Sequence, residues 1–452
     1  MRHKVINSKI EIILSEIEND FIEARLLEPN QKRLIFSAIK NELIKNKDKL
    51  IKIVCNEIKL NKEDATKEFT RAVSTFELAE NNYNYSDTKT IKKDEVLILE
   101  KRIARGPLLA ITPFSSPLSS PSHKISLGIL AGTSILFKPS PHAIKTGTEL
   151  FKLITKATKG KYVKILKSNI EKELNIVTSD DRIGIISFTG GYKTGKKIIQ
   201  SGGVKKYHME LSGGNSCVIF KQDYEKYNDY LLNKIIQGII SKNGQRCVSI
   251  KHIFIPATKN EVVLKLQSKL KEVYESTIND LDNGHNPKIG PLINEEYAIK
   301  SENKIEDIAS KFRNIKPYVK LMRKGSYLLP SVYTVKNIEV NTTRKLLDYD
   351  LPGPIVFIHT YKKEEYKNII KALSNDYIRS GLQLSFFTSD INSIKKDYKN
   401  IIWGGIIIND IPTFRDDFMS FGGFGKAGLG KEGFFETFQA YTDPQVIVIN
   451  NE

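Results

Sequence analysis

The amino-acid sequence predicts an α/β protein built on parallel sheets. From Gly106 onward, short apolar runs alternate with stretches of helical periodicity, the signature of a parallel sheet crossed by helices. The 452 residues are 40% apolar, ample for a large core, and this length suggests two or three domains. No internal repeat and no low-complexity linker breaks the pattern.

Residues 1–85 read as helices, because Ile10, Ile13, Leu14 and Ile17 recur at helical spacing, as do Leu34, Ile39, Leu43 and Ile44. The pattern lapses in the polar stretch Asn81–Thr90, and Glu95–Ala104 then reads as one arm of a hairpin. Leu108–Thr112 and Ser134–Lys138 read as strands, with a helix to about Ala131 between them and another over His142–Thr155. The strand Gly184–Phe188 ends on Thr189, Gly190 and Gly191. A second run follows, with strands Cys217–Phe220 and His252–Pro256 around a helix Tyr224–Ser241. Strand Ile355–Ile358, helix Glu364–Leu373 and strands Leu382–Thr388 and Gly405–Asn409 continue it. A Gly-rich loop, Phe421–Gly433, precedes an extended tail, Gln445–Ile449.

Composition removes several classes of function. No uninterrupted apolar stretch reaches the ~18–20 residues that span a bilayer. The N-terminus shows no signal-peptide zoning, so a cytoplasmic protein without a membrane partner is expected. Cys55, Cys217 and Cys247 are too few and too scattered for a disulfide framework, and nothing has the spacing of a metal site. The net charge is +18, but the lysines are spread along the whole chain and no nucleic-acid motif accompanies them. The expectation is no nucleic-acid partner, and a field that favours acidic or phosphorylated substrates.

Four segments carry chemistry. In Asn243-Gly244-Gln245-Arg246-Cys247, a cysteine follows a glycine bend and can be exposed as a nucleophile. Taken alone, a cysteine is more often a small buried hydrophobe. Glu210 ends an apolar strand before Ser212-Gly213-Gly214, and in an apolar cleft it could serve as a general base. A solvated strand end is the plainer reading of that residue by itself. Lys138, in Phe137-Lys138-Pro139-Ser140, ends a strand at the sheet's carboxyl edge, in reach of a ribose or phosphate. Phe188-Thr189-Gly190-Gly191 leads a strand into a helix whose N-terminus can bind pyrophosphate. This turn does not have the GxGxxG spacing of the ordinary dinucleotide fingerprint.

The order of these segments, with Ile111-Thr112-Pro113-Phe114 before them and IGPLI (Ile289–Ile293), PGP (Pro352–Pro354) and FGGFGKAGLGKEG (Phe421–Gly433) after them, resembles the aldehyde dehydrogenase superfamily over about residues 30–449. FRDD before the last motif looks most like the branch of lactaldehyde, glyceraldehyde-phosphate and phosphonoacetaldehyde dehydrogenases. The resemblance implies NAD- or NADP-dependent oxidation of an aldehyde to a carboxylic acid. Cys247 would attack to give a thiohemiacetal and then a thioester, and Glu210 would activate the hydrolytic water. Phe114, Lys138, Ser140, Gly190, Gly191 and Asp350 fall at cofactor-binding positions. Asn409 and the loop Phe421–Gly430 would line the substrate side, with Arg415 and Lys426 as contacts for an anionic substrate.

The sequence departs from the family pattern at several places. The oxyanion-binding asparagine is replaced by Ser115, and loss of one such donor typically costs ~10²–10³ in rate. Ser115 or Ser116 would have to compensate. Asp350 stands for a glutamate, and Pro352 for a phenylalanine that packs near the nicotinamide. Pro141 replaces an acidic residue that often follows the strand lysine, which removes a repulsion against a 2′-phosphate, so NAD and NADP both stay open. The same fold would also suit a reductive or biosynthetic specialist, or a catalytically idle homologue with a structural role.

The resemblance further implies three parts. An NAD(P)-binding domain spans 1–211, interrupted by an oligomerisation hairpin at 88–104. A catalytic domain spans 212–434, and an oligomerisation tail spans 435–452. A homodimer or homotetramer is expected, since the tail would otherwise leave a sheet edge open.

Overall fold

The computed structural model describes residues 2–450 apart from 94, 169–170, 221–228, 286, 288, 337, 350 and 375–380. Two large sheets organise the chain. The first has six strands in the spatial order Gly428–Leu429, Lys206–Leu211, Ile185–Gly190, Leu108–Ile111, Ile135–Lys138 and Val163–Ile165. All pair in parallel except the short Gly428–Leu429 edge. The second has seven strands in the order Ile315–Val319, Ser331–Val335, Ile355–Tyr361, His252–Pro256, Gly214–Ile219, Gly381–Phe387 and Gly405–Ile408. It too is parallel except at its Ile315–Val319 edge.

The strands are near-continuous apolar runs because helices cover both faces of each sheet. In the first sheet Leu108, Ala110, Ile135 and Phe137 face one core, with helices Pro29–Lys45, Lys62–Asn81 and Ser119–Ala131. The alternate residues Leu109, Ile111, Leu136 and Ile186 face the other. That second core is closed by Ile10, Leu14 and Ile17 of the helix Arg2–Ala24, the helical stripe visible in the sequence. In the second sheet Cys217, Ile253, Ile255, Val356 and Ile358 pack beneath helices Asp229–Ile240 and Asn260–Asp282. Cys217 is therefore core, and burial pushes its thiol far above the ordinary range.

A third, antiparallel sheet orders Lys89–Lys93, Val96–Ala104 and Thr442–Asn450. The hairpin and the tail thus pair with each other within one chain. The tail does not begin as a strand, however. Residues Phe434–Tyr441 form a helix whose Phe434, Phe438 and Tyr441 join the core around Ser119–Ala131. The Gly-rich loop also departs from the expected partition, since its Gly428–Leu429 segment pairs with the first sheet, beside Glu210. Among the described residues, no helix is long and apolar enough to cross a membrane.

Candidate active site

The carboxyl ends of the first sheet's strands and the amino end of the second sheet face one cleft of about 670 Å³, the place where open α/β sheets bind ligands. Cys247, Glu210, Ser115, Phe114, Lys138, Ser140, Gly190 and Gly191 all line it. Asp350 lies outside the described residues. Arg415 lines the cleft, but Lys426 and Asn409 do not. Asn409, with φ +60°, instead turns its side-chain oxygen back to accept from the backbone of Thr388.

The turn that presents Cys247 is made by three of the sequence landmarks acting together. Lys242, Asn243 and Gly244 are successive left-handed residues, at φ +50°, +58° and +68°, a conformation that costs non-glycine residues about 1–2 kcal/mol each. Neighbouring segments hold them there. Asn243 accepts from Gly290 N at 2.7 Å and donates to Pro291 O at 2.9 Å, and Gln245 accepts from Ile293 N at 3.0 Å. Gly353 N donates to Gly244 O at 3.2 Å. A Cβ on Gly244 would lie 2.3 Å from the Gly353 carbonyl carbon, so only glycine allows this crossing. Asn215 then donates to Cys247 O at 2.7 Å and fixes the nucleophile's own backbone.

Cys247 is solvent-accessible through the cleft, yet protein atoms crowd it on the other sides. That crowding pushes its thiol up from the ordinary value, with Arg246 pulling the other way and Glu210 and Glu432 adding to the rise. Glu210 is 4% exposed, and its Oε1 has no hydrogen-bond partner among the described residues. Burial first, and the nearby Glu432 second, hold its carboxyl well above the usual range. A Cβ on Gly422 would come within 2.6 Å of that oxygen, so the glycine of the FGG loop makes room for it.

Glu432 is its opposite. Burial alone would raise it, but His123, Arg415 and Lys124 outweigh burial and hold it low. Arg415 reaches Glu432 at 3.1 Å, stacks over the Phe421 ring at 4.1 Å, and leaves Nη1 buried without a partner among the described residues. Arg71 lines the same end and pairs with Asp417. Behind Glu210, Lys124 donates to Ser187 Oγ at 2.7 Å and Ser187 meets His208 Nδ1 at 3.0 Å. His208 Nε2 contacts Lys431 O at 2.9 Å and stands 4.0 Å from Glu210 Oε1. Burial lowers His208 to about 4, so it is neutral and donates to that carbonyl.

The other end of the cleft fits a dinucleotide. Lys138 is 6% exposed, its ammonium meets only its neighbour's carbonyl at 3.5 Å among the described residues, and burial lowers it. A buried ammonium without a carboxylate is a ready anion site. Gly191 caps the helix Tyr192–Gly202 with open space where a Cβ would stand, and no side chain takes the cap. Its free N–H groups suit a pyrophosphate. Phe114, His142 and Tyr297 meet edge to face, with ring centroids 5.7–5.8 Å apart, and join the two sheet units across the cleft.

Several of these residues carry no mark in the sequence. Glu68 and Arg71 sit in an ordinary amphipathic helix, and His123, Lys124, His208 and Glu432 come from four distant segments that meet only in the fold.

A two-sheet α/β protein with an accessible cysteine and a buried carboxylate facing one cleft defines a class, and comparison with known proteins names it. The model of the aldehyde dehydrogenase family matches residues 4–447, and the chain belongs to that family. Its class is thus that of an NAD(P)-dependent oxidoreductase. A lactaldehyde dehydrogenase of Methanococcus maripaludis is 30% identical over 433 residues, covering 94% of this chain and 89% of that protein. A 3-sulfolactaldehyde dehydrogenase of Priestia megaterium is 26% identical, covering 90% and 84%. The crystal structure of glyceraldehyde-3-phosphate dehydrogenase GapN from Methanocaldococcus jannaschii, complexed with NADP, superposes with a TM-score of 0.87 at 26% identity, covering 98% and 94%.

Proposed function

We propose that this protein oxidises a small anionic aldehyde to its carboxylic acid, using Cys247 as nucleophile and Glu210 as base. One observation carries the reading: an accessible thiol and a buried carboxylate with an unpartnered oxygen face the same cleft. An idle homologue would have no chemical reason to hold that oxygen in place.

The mechanism starts from a protonated thiol. Glu210 is the base within the cleft, and taking the proton leaves a thiolate that adds to the aldehyde carbon. The Ser115 hydroxyl, which makes no hydrogen bond among the described residues and lines the cleft, donates to the developing oxyanion. When bound, the nicotinamide would supply the two-electron acceptor that oxidation of the thiohemiacetal to a thioester requires. Once that first proton has passed to solvent through the open cleft, Glu210 removes a second one from the water that hydrolyses the thioester. Its raised pKa makes it a stronger base for both transfers than an ordinary carboxylate.

Lys138, Ser140, Gly190 and Gly191 would hold the cofactor. With Pro141 at the position next to Ser140, no carboxylate there opposes a 2′-phosphate, and Lys138 would pair with one, so NADP is the favoured partner. Pro141→Glu should weaken NADPH binding relative to NADH, as read by cofactor fluorescence. Equal weakening of both would refute the assignment. Arg71 and the Arg415 Nη1, which has no partner among the described residues, suit a carboxylate, phosphate or sulfonate beside the aldehyde. The 3-sulfolactaldehyde and glyceraldehyde-phosphate enzymes among the relatives support that choice.

The test is NAD(P)H formation at 340 nm with lactaldehyde, 3-sulfolactaldehyde, glyceraldehyde 3-phosphate and succinic semialdehyde, alongside Cys247→Ala. Turnover lost in the mutant is expected. No turnover with any aldehyde, despite measurable cofactor binding, would sink the oxidative reading.

A further inference from the structure

We propose that Lys242, five residues before the nucleophile, is a positioning residue that clamps the Ser115 loop to the Cys247 turn and keeps a cation beside both. The inference rests on the reading of Cys247 and Ser115 given above, and it goes beyond it to a residue that no part of that reading uses.

The Lys242 ammonium has three acceptors: Glu68 Oε2 at 2.7 Å, Ser115 O at 2.9 Å and Ser116 Oγ at 3.3 Å. An ammonium has three donors, so none remains for a substrate. The backbone is held as well, because Lys242 N donates to Asp64 Oδ2 at 2.8 Å. The lysine is therefore fixed at both ends against the helix Lys62–Asn81, in a left-handed conformation that a β-carbon disfavours. The ion pair and its hydrogen bonds offset that strain.

Its partners explain what the clamp holds. Glu68 is 3% exposed and already accepts from Leu118 N at 3.1 Å, Ser119 N at 2.9 Å and Ser119 Oγ at 2.9 Å. It thereby caps the helix Ser119–Ala131 and fixes the end of the Ser115 loop. Lys242 joins this fixed point to the Ser115 carbonyl. Burial would raise the Glu68 carboxyl, but Lys242 and the Ser119 hydrogen bonds together outweigh it and hold it below the ordinary value. A serine hydroxyl reaches less far than a longer polar side chain, so its backbone must be held close to the reacting carbon, and here one lysine does so. Lys242 lines the same cleft as Cys247, and its charge favours the thiolate, behind Arg246 and against burial, Glu210 and Glu432.

The experiment uses the full chain with three variants: Lys242→Met, Lys242→Arg, and the double Lys242→Met with Glu68→Gln. The double variant leaves no unpaired buried charge, so it separates loss of fold from loss of function. Three quantities are read: kcat, NADPH affinity, and the pH midpoint of Cys247 alkylation by iodoacetamide without substrate. Lys242→Met is expected to lose about tenfold or more in kcat at unchanged NADPH affinity, with the alkylation midpoint moved to higher pH. The double variant should recover melting temperature but not rate, and Lys242→Arg should recover most of the rate and the wild-type midpoint. A Lys242→Met midpoint equal to that of the wild type, or a double variant that recovers the rate with the fold, would overturn the proposal. Should the wild type oxidise no aldehyde, the reaction reading fails, while the alkylation midpoints still decide the role of Lys242.

Discussion

At the scale of single residues, Glu210 and Glu432 illustrate how surroundings divide labour between two identical side chains. Glu210 Oε1 has no hydrogen-bond partner among the described residues and the carboxyl is held high, whereas Glu432 faces His123, Arg415 and Lys124 and is held low. A general base works only when ionised, so kcat should climb with pH through the raised pKa of Glu210. Removing the charge of its neighbour with Glu432→Gln removes a repulsion, and the climb should shift to lower pH. A profile that stays put in this variant would contradict the coupling. Glu210→Gln should leave a burst of NAD(P)H about equal to the enzyme concentration and then a steady rate lower by about 10²–10³. The burst needs only thiolate attack and hydride loss, provided the assay pH ionises Cys247 without Glu210. The steady rate also needs the activated water. Rapid-mixing absorbance at 340 nm separates the two phases.

At the scale of elements, two adjacent strands of the second sheet bury a histidine pair. His252 Nδ1 meets His359 Nε2 at 3.1 Å, and the outer nitrogen of each ring has no partner among the described residues. Burial lowers both, His252 to about 3. Their folded pKa values lie below the ordinary 6.5, so the stability they support is present above that pH and is lost as pH falls through and below it. The melting temperature should drop between pH 7 and 5, and replacing both histidines with leucine should flatten that slope. An unchanged slope would assign the acid sensitivity elsewhere, with buried His123 and His208 next in line. The turn before Cys247 gives a second prediction at this scale. Gly244→Ala places a methyl group against the Gly353 backbone at a positive φ, and should cost about 1–3 kcal/mol and misplace the thiol. Denaturant titration and iodoacetamide kinetics would measure the two effects.

At the scale of the whole molecule, the three-stranded sheet is where the fold remains open. Thr442–Asn450 is an edge strand, and Val446, Ile447, Val448 and Ile449 are all exposed. An unpaired edge with an apolar surface is an association site. A homo-oligomer formed through this sheet is the expectation, and lysines at positions 446 and 448 should yield monomers by light scattering while leaving the cleft intact. A wild-type monomer at micromolar concentration would refute it. The charge of +18 acts at this scale too, and under the proposed reading it would draw an anionic substrate toward a cleft lined by Arg71 and Arg415. Apparent KM should therefore rise with ionic strength for an anionic aldehyde and stay level for a neutral one.

The sequence by itself determined the parallel α/β class and most strands of both sheets, because a strand covered on both faces must be an apolar run and a short run bounded by turns is visible locally. It also determined that Cys247, Glu210, Lys138 and Gly190–Gly191 stand at strand ends or turns, since glycine bends and strand boundaries are local features. It left the ends of elements loose, and it assigned no element to Phe434–Tyr441, whose helix is fixed by packing of Phe438 and Tyr441 against distant Ser119–Ala131. Only the tertiary structure decided that Cys217 is core while Cys247 opens on the cleft, and that Asn409 and Lys426 stay off it. Only it decided that Glu68, Lys242 and Ser115 form one cluster, although 47 residues separate Glu68 from Ser115 and 127 separate Ser115 from Lys242. A charged residue in an amphipathic helix looks the same in sequence whether it faces water or a distant lysine, and burial, which depends on the whole fold, makes the difference.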